Sequence, residues 1–237
     1  MSAASADRPQ RLRWRVRHCT SGKNPAFPGD WVPVRSFFSG CALHCVFCQN
    51  ENIANGTAGK VISTERLGEI FLELQEKGAN NINLVTPGQF VPQIIKAVEL
   101  ARNQNLKIPI VYNTSSYENV DTIRSLEGIV DIYLPDFKYF DTALSAKYSH
   151  APDYPAVAKA VIAEMVRQTG AAVFENGEDS LMKRGTIVRH LILPGCTKEF
   201  QSSFEIICHE TYEESNIYQY HAPVTPTLLT MKKLYRN

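Results

Sequence analysis

Short runs rich in β-branched and aromatic residues alternate along this chain with stretches whose apolar positions recur every three to four residues. PVRSFFS at 33–39 reads as a strand that runs straight into a cysteine-rich loop. Ser63 or Thr64 can cap a helix whose Leu67, Ile70, Phe71 and Leu74 share one face, with Gly78 ending it. NINLVTP at 81–87 is the next strand, and Val91, Ile94, Ile95 and Val98 mark a second amphipathic helix. IPIVYNTS (108–115) predicts a third strand, followed by a short helix near 118–126, and IVDIYLPDFK (129–138) a fourth strand. A long helix from about Pro155 to Gln168 follows, Pro155 being suited to its first turn. TIVRHLILPG (186–195) is a fifth strand and NIYQY (216–220) a sixth.

Strands alternating with helices predict an α/β fold with a parallel sheet and right-handed crossovers, as an open or closed barrel. No linker, repeat or low-complexity stretch divides the chain. The organisation expected is an N-terminal arm at 1–30, one core domain at 31–222 and a C-terminal tail at 223–237. In such sheets ligands gather at the C-terminal ends of the strands, and the chemistry-bearing residues below all fall at such ends.

Composition narrows the class without naming it. With 237 residues, 44% hydrophobic and 21% charged, the chain suits one large globular domain. A formal net charge of +1 gives no general pull toward nucleic acid or a membrane surface. No apolar run approaches the roughly 20 residues needed to cross a bilayer. The first thirty residues lack the apolar core of a secretory signal. RLRWRVRH (11–18) alternates Arg with apolar residues and reads as a solvated arm or edge strand. The Arg, Ser and Ala content of that region, with only Asp7 acidic, is shared with mitochondrial presequences. Cys19, Cys196 and Cys208 are scattered singly, unlike a disulfide framework, so a reducing, cytoplasmic setting is expected.

The remaining cysteines change the picture. Cys41, Cys45 and Cys48 follow C-x3-C-x2-C. In a chain with 6 cysteines in 237 residues this spacing arises by chance roughly 0.004 times, so it calls for a chemical reason. A closed zinc site needs four ligands, usually as two separated pairs, and His44 beside Cys45 is an awkward fourth. Three thiolates on one loop suit a cubane iron–sulfur cluster with its fourth iron open to a ligand. Asp136 and Lys138, two apart on the fourth strand, share a face. Such an anion and cation suit a zwitterionic ligand, or simply one another.

C-x3-C-x2-C after the first strand, with aromatic Phe47 directly before the last cysteine, resembles the signature of radical S-adenosylmethionine (SAM) enzymes. FFSGCALHCVFCQN, NLVTP, VPQI, YNTSSYE, GIVDIYLPDFKY, SHAPDYPAVAKA and VRHLILPGCTK resemble more narrowly the homologues of pyruvate formate-lyase activating enzymes, over about 34–200. The resemblance implies a partial (β/α)6-type barrel, truncated at its C-terminal end. It implies a 4Fe–4S cluster on Cys41, Cys45 and Cys48, with SAM chelating the open iron through its amino and carboxylate groups. One electron, from a donor such as flavodoxin or ferredoxin, then cleaves the sulfonium, and the 5′-deoxyadenosyl radical takes a hydrogen from the substrate.

The same resemblance places Asp136 and Lys138 on SAM, and with SAM there Phe47 is a candidate wall beside the adenine. Asn113, at the end of the third strand, is placed for its ribose or the substrate, and Thr86 offers the ligand a carbonyl or hydroxyl unless VTPGQF is simply a helix-entry turn at Pro87. The chain departs from the pattern where relatives carry a Gly-Gly-Glu-type stretch and, in the subgroup, Thr and His at 88 and 89; here Gly88 and Gln89 stand. For Asn113, Thr114 and Ser116 a capping role competes equally with a ligand role. Of Arg189 and His190, on opposite faces of a strand, at most one looks inward. The expected activity is that of a radical SAM enzyme activating a glycyl radical enzyme, a protein substrate. One alternative is a radical SAM enzyme acting on a small molecule or peptide. Another is a catalytically silent iron–sulfur or zinc module, which would not need Asp136 and Lys138.

Overall fold

The structure, a computed structural model, describes residues 12–18, 34–57, 59–175, 181–192 and 217–223. In chain order its strands are β1 (Leu12–His18), β2 (Val34–Phe38), β3 (Lys60–Ile62), β4 (Ile82–Val85), β5 (Ile110–Thr114), β6 (Ile132–Phe137), β7 (Val173–Phe174), β8 (Met182–Ile192) and β9 (Ile217–Pro223). The helices are α1 (Glu51–Ala54), α2 (Thr64–Glu76), α3 (Val91–Asn103), α4 (Val120–Arg124), α5 (Thr142–Ser149) and α6 (Tyr154–Thr169), with a 3₁₀ turn at Gly88–Phe90.

Neighbouring strands in the order β2, β4, β5, β6, β8, β9 all pair in parallel. This is the sheet of an α/β partial barrel, and its strands bring their C-terminal ends to one rim. β1 pairs antiparallel with both β2 and β3, and β7 antiparallel with β8. The Arg-alternating segment is therefore an interior strand between β3 and β2, where its alternation had suggested an arm or an edge. Period-two alternation suits a paired strand wherever it lies in a sheet, so the pattern alone does not fix the place.

Local chemistry sets the helix ends. The Ser63 hydroxyl accepts from the Arg66 amide at 3.1 Å and caps α2. Gly78, at φ +82°, takes the left-handed turn that follows it. Asp141 caps α5 by accepting from the Ala143 amide at 2.6 Å, and α6 opens with Pro in its first turn. α1, β3, α5 and β7 are elements that hydrophobic periodicity did not predict.

Strand alternation then sorts the core. Phe38, Ile82, Leu84, Tyr112 and Tyr133 face α2 and α3 and pack with Leu67, Phe71, Ile94 and Val98. Val111, Ile132, Leu134 and Ile187 pack together in a cluster of their own. A third cluster joins Leu43 and Phe47 of the cysteine loop to Phe137, Tyr139, Tyr154 and Ala158. Each such side chain contributes about 1.5–3 kcal/mol by leaving water, and the third cluster spends that energy on seating a loop. Among the described residues no helix is long and apolar enough to cross a membrane.

Candidate functional site

The cysteine loop leaves the C-terminal end of β2 and is fixed by four hydrogen bonds, three of them between backbone groups. The Gly40 amide donates to the Ile53 carbonyl at 2.7 Å, and Val46 to Tyr148 at 2.9 Å. The Cys48 amide donates to the Cys45 carbonyl at 3.0 Å, and the Gln89 side chain donates to the Ser39 carbonyl at 2.8 Å. Gly40 sits at φ +101°, and a Cβ there would run into the Gln89 amide, so only glycine lets the two loops close up. Gln89 thus ties the loop after β4 to the start of the cysteine loop. Phe47 is buried, its ring edge-on to Tyr139 and Tyr148 at 6.3 and 6.5 Å.

Cys41, Cys45 and Cys48 are free thiols, each partly exposed. Burial pushes the Cys45 thiol up, while the nearby Lys138 ammonium and a hydrogen bond with Ser149 favour its thiolate. Burial also raises Cys48. Among the described residues no group of three or more His, Cys, Asp or Glu gathers as a single ion requires. In a cubane cluster each thiolate takes its own iron, so the sulfurs stand apart. A set of three soft, unpaired thiols beside a cation therefore fits an iron–sulfur cluster. Cys19, Cys196 and Cys208 lie outside the described residues.

Beside this loop the strand ends carry one polar network. Asp136 lies opposite Arg189 in the β6–β8 register. Its carboxylate takes a 2.5 Å ion pair from Lys138 and a 2.7 Å one from Arg189. Burial alone would raise the Asp136 carboxyl, but the two cations hold it below its ordinary value. The reverse holds for Lys138, which Asp136 raises against the effect of burial. Arg189 also donates to Asn113 Oδ1 at 2.7 Å, and Asn113 Nδ2 donates to Asn83 Oδ1 at 3.3 Å. Among the described residues the buried Nε of Arg189 has no hydrogen-bond partner. One carboxylate with two cations leaves this patch formally positive, which suits an anionic group arriving from outside.

Tyr154 of α6 holds the end of β6 in place. Its buried hydroxyl accepts from the Lys138 amide at 2.9 Å and lies 2.8 Å from the Asp136 carbonyl and 3.0 Å from that of Ser115. His190, facing the other way from Arg189, bonds the Phe137 carbonyl through Nδ1 at 2.6 Å.

A cavity of about 230 Å³ opens beside Cys41, lined by Thr86, Gly88, Gln89, Thr114, Tyr117 and Glu118 among others. Thr86 and Ser116 bend the ends of β4 and β5 at φ +55° and +64°, unusual for residues with a Cβ. Strained backbone of this kind clusters at active sites and ligand clamps. The half-buried Glu118 accepts from Tyr112 at 2.6 Å and from Thr114; desolvation raises its pKa against those two bonds. Gly88 gives the Glu118 carboxylate room, since a Cβ there would lie 2.7 Å from its oxygen and push that side chain aside.

The structure thus brings Cys45, Lys138 and Asp136 into one neighbourhood and joins Asn113 to it through Arg189. Thr86 borders the cavity that Cys41 lines, and Phe47 seats the loop from beneath. Thr114 turns to the Glu118 side, away from Asn113. Arg189, Tyr154 and Ser149 belong to the site but were not selected from sequence. The parity of β8 showed that Arg189 or His190 faces inward; only strand register says which.

The Radical SAM superfamily pattern matches residues 36–197, more than half of the chain. This chain belongs to the Radical SAM superfamily. Members of the superfamily use a 4Fe–4S cluster and SAM, and the three thiols of the cysteine loop fall within the matched residues. The chain is 25% identical over 174 residues to Uncharacterized protein MJ0674 of Methanocaldococcus jannaschii, covering 69% of this chain and 46% of that one. Among solved structures it resembles methylornithine synthase (PylB) at 13% identity and a TM-score of 0.49, over 83% of this chain and 58% of that one. The radical SAM chain described here spans about half the length of the curated relative it matches.

Proposed function

We propose that Cys41, Cys45 and Cys48 hold a 4Fe–4S cluster and that the chain binds SAM across the rim formed by β4, β5, β6 and β8. When bound, the cluster supplies one electron to the sulfonium of SAM, giving a 5′-deoxyadenosyl radical that abstracts hydrogen. The observation that carries this reading is the positive Asp136–Lys138–Arg189 patch lying against a loop of three free thiols.

The protein's own residues bind, orient and shield. Lys138 and Arg189 offer donors to a carboxylate, and the unpartnered Arg189 Nε is one of them. Asp136 keeps both cations oriented and adds the anion that an amino group or ribose hydroxyl recognises. Asn113 and Thr86 supply polar contacts at neighbouring strand ends, and the resemblance puts Phe47 beside the adenine. The apolar packing of Leu43, Phe137 and Tyr139 around the loop limits water near the thiolates.

On the hydrogen donor, similarity of sequence motifs to activating enzymes supports a glycine of a protein partner, with a flavodoxin- or ferredoxin-type electron donor in a reducing, cytoplasmic setting. A small molecule or peptide is the alternative, and the position of deuterium recovered from labelled candidates separates the two.

The ligand assignment is tested by anaerobic reconstitution of the whole chain. Cys41→Ala, Cys45→Ala and Cys48→Ala are each expected to lose most of the iron and sulfide that the wild-type chain takes up, while Cys208→Ala keeps its full content. Full loading of any of the first three would remove that cysteine from the ligand set.

A further inference from the structure

The cavity beside Cys41 carries a charge that the SAM contacts proposed above do not use. Among the described residues its wall holds one carboxylate, Glu118, and no lysine, arginine or histidine. Among the described residues no cation pairs with that carboxylate. The fully buried Tyr112 donates to one of its oxygens at 2.6 Å, and the buried Thr114 donates to the other. These hydroxyls fix the carboxylate in place but bring no opposite charge, and a charge withdrawn from water without one is costly. The two oxygens of a carboxylate offer roughly four acceptor positions, so the two bonds leave acceptor capacity toward the cavity. The backbone is also shaped for this side chain: a Cβ at Gly88 would lie 2.7 Å from a Glu118 oxygen.

The rest of the wall decides which cation fits. Gln89 commits its amide nitrogen to the Ser39 carbonyl at 2.8 Å, so its amide oxygen is what it has left to offer. Thr86 adds a hydroxyl, and Tyr117 an aromatic ring of the kind that attracts a cation. A hard metal ion prefers six or more oxygens, several of them charged, and among the described residues no group of three or more His, Cys, Asp or Glu gathers. An ammonium group asks for three acceptors only. The cavity, about 230 Å³, is smaller than the roughly 300–1,000 Å³ of sites that enclose a whole small molecule. It therefore takes one end of a larger ligand.

We propose that this cavity is a cation site that receives a protonated amine, with Glu118 as the counter-ion and Gly88 giving that carboxylate its room. The amine belongs to the methionyl end of SAM or to the substrate, and the cavity recognises the chemistry the two share. The site's place in the reaction rests on the functional reading above, whereas the capture of a cation does not. An arriving ammonium supplies the missing charge and offsets the cost of keeping Glu118 ionised away from water.

The test uses n-butylammonium as the probe and n-butanol as its neutral counterpart, with binding to the full-length chain followed by NMR line broadening of each. Wild type is expected to prefer butylammonium by about tenfold, the worth of one charge-assisted hydrogen bond. Glu118→Gln and Gly88→Ala are expected to lose that preference, the first by removing the charge and the second by pushing it aside. Equal binding of butylammonium by wild type and Glu118→Gln overturns the proposal. If Glu118→Gln does not fold, wild-type binding by Gly88→Ala overturns it instead. Adding SAM to the cluster-loaded wild type then separates the two sources. Release of the probe assigns the cavity to the amino end of SAM, and retention assigns it to an amine of the substrate. A chain that takes up no cluster defeats the functional reading, and the probe still tests the cavity in the apo protein.

Discussion

Asp136 carries two cations at once, with 11% of its side chain exposed, and this decides what each partner is worth. Removing the carboxylate strands two buried or half-buried positive charges side by side, whereas removing Lys138 leaves Asp136 still paired with Arg189. Asp136→Asn is therefore expected to cost about 3–5 kcal/mol, the range for breaking a buried ion pair from one side. Lys138→Ala is expected to cost clearly less. Urea unfolding of the apo protein measures both, and equal losses would show that Arg189 does not share the carboxylate. Arg189 escaped selection from sequence for a physical reason. It meets Asp136 through a strand register that joins residues 53 apart, and no local pattern encodes that pairing.

α6 is the element that supports the site from behind. Tyr154 in its first turn satisfies the Lys138 amide at the end of β6, so Tyr154→Phe leaves a buried donor without its acceptor. The expected loss is about 1–3 kcal/mol, read as a lowered urea midpoint, with weakened SAM binding because Lys138 loses its anchor. A midpoint unchanged from wild type would mean that the strand end is held by other contacts.

Further along α6, Arg167 and Gln168 hold the buried Glu164 carboxyl down to about 2 from its ordinary 4.5. Its stabilisation is complete above pH 4.5 and is lost as pH falls toward 2, because the folded-state pKa is the lower one. Wild type should then exceed Glu164→Gln in stability at neutral pH and converge with it through that window, as acid titration of urea midpoints would show. A gap independent of pH would assign Glu164 a packing role instead. α6 itself was legible, because Pro155 and its apolar spacing announce it. α5 was not: TALSAKYS mixes polar and apolar residues around the helix, and only its Asp141 cap and its packing on the cysteine loop define it.

At the scale of the molecule, parallel strands deliver their C-terminal ends to one rim, and the chain places its thiols, cations and strained turns there. That plan could be read from sequence because strand–helix alternation and C-x3-C-x2-C are local patterns of high specificity. The interior place of β1, the Gln89 tie to Ser39 and the Tyr139–Ser149 hydroxyl pair could not, since each depends on contacts made only after the sheet is assembled. Reductive cleavage of SAM at this rim is measured as release of 5′-deoxyadenosine. Anaerobically reconstituted full-length protein given dithionite and SAM should form it, and Cys45→Ala should not. A fully loaded wild-type cluster that yields no 5′-deoxyadenosine would rule out that activity and leave a silent iron–sulfur module in its place.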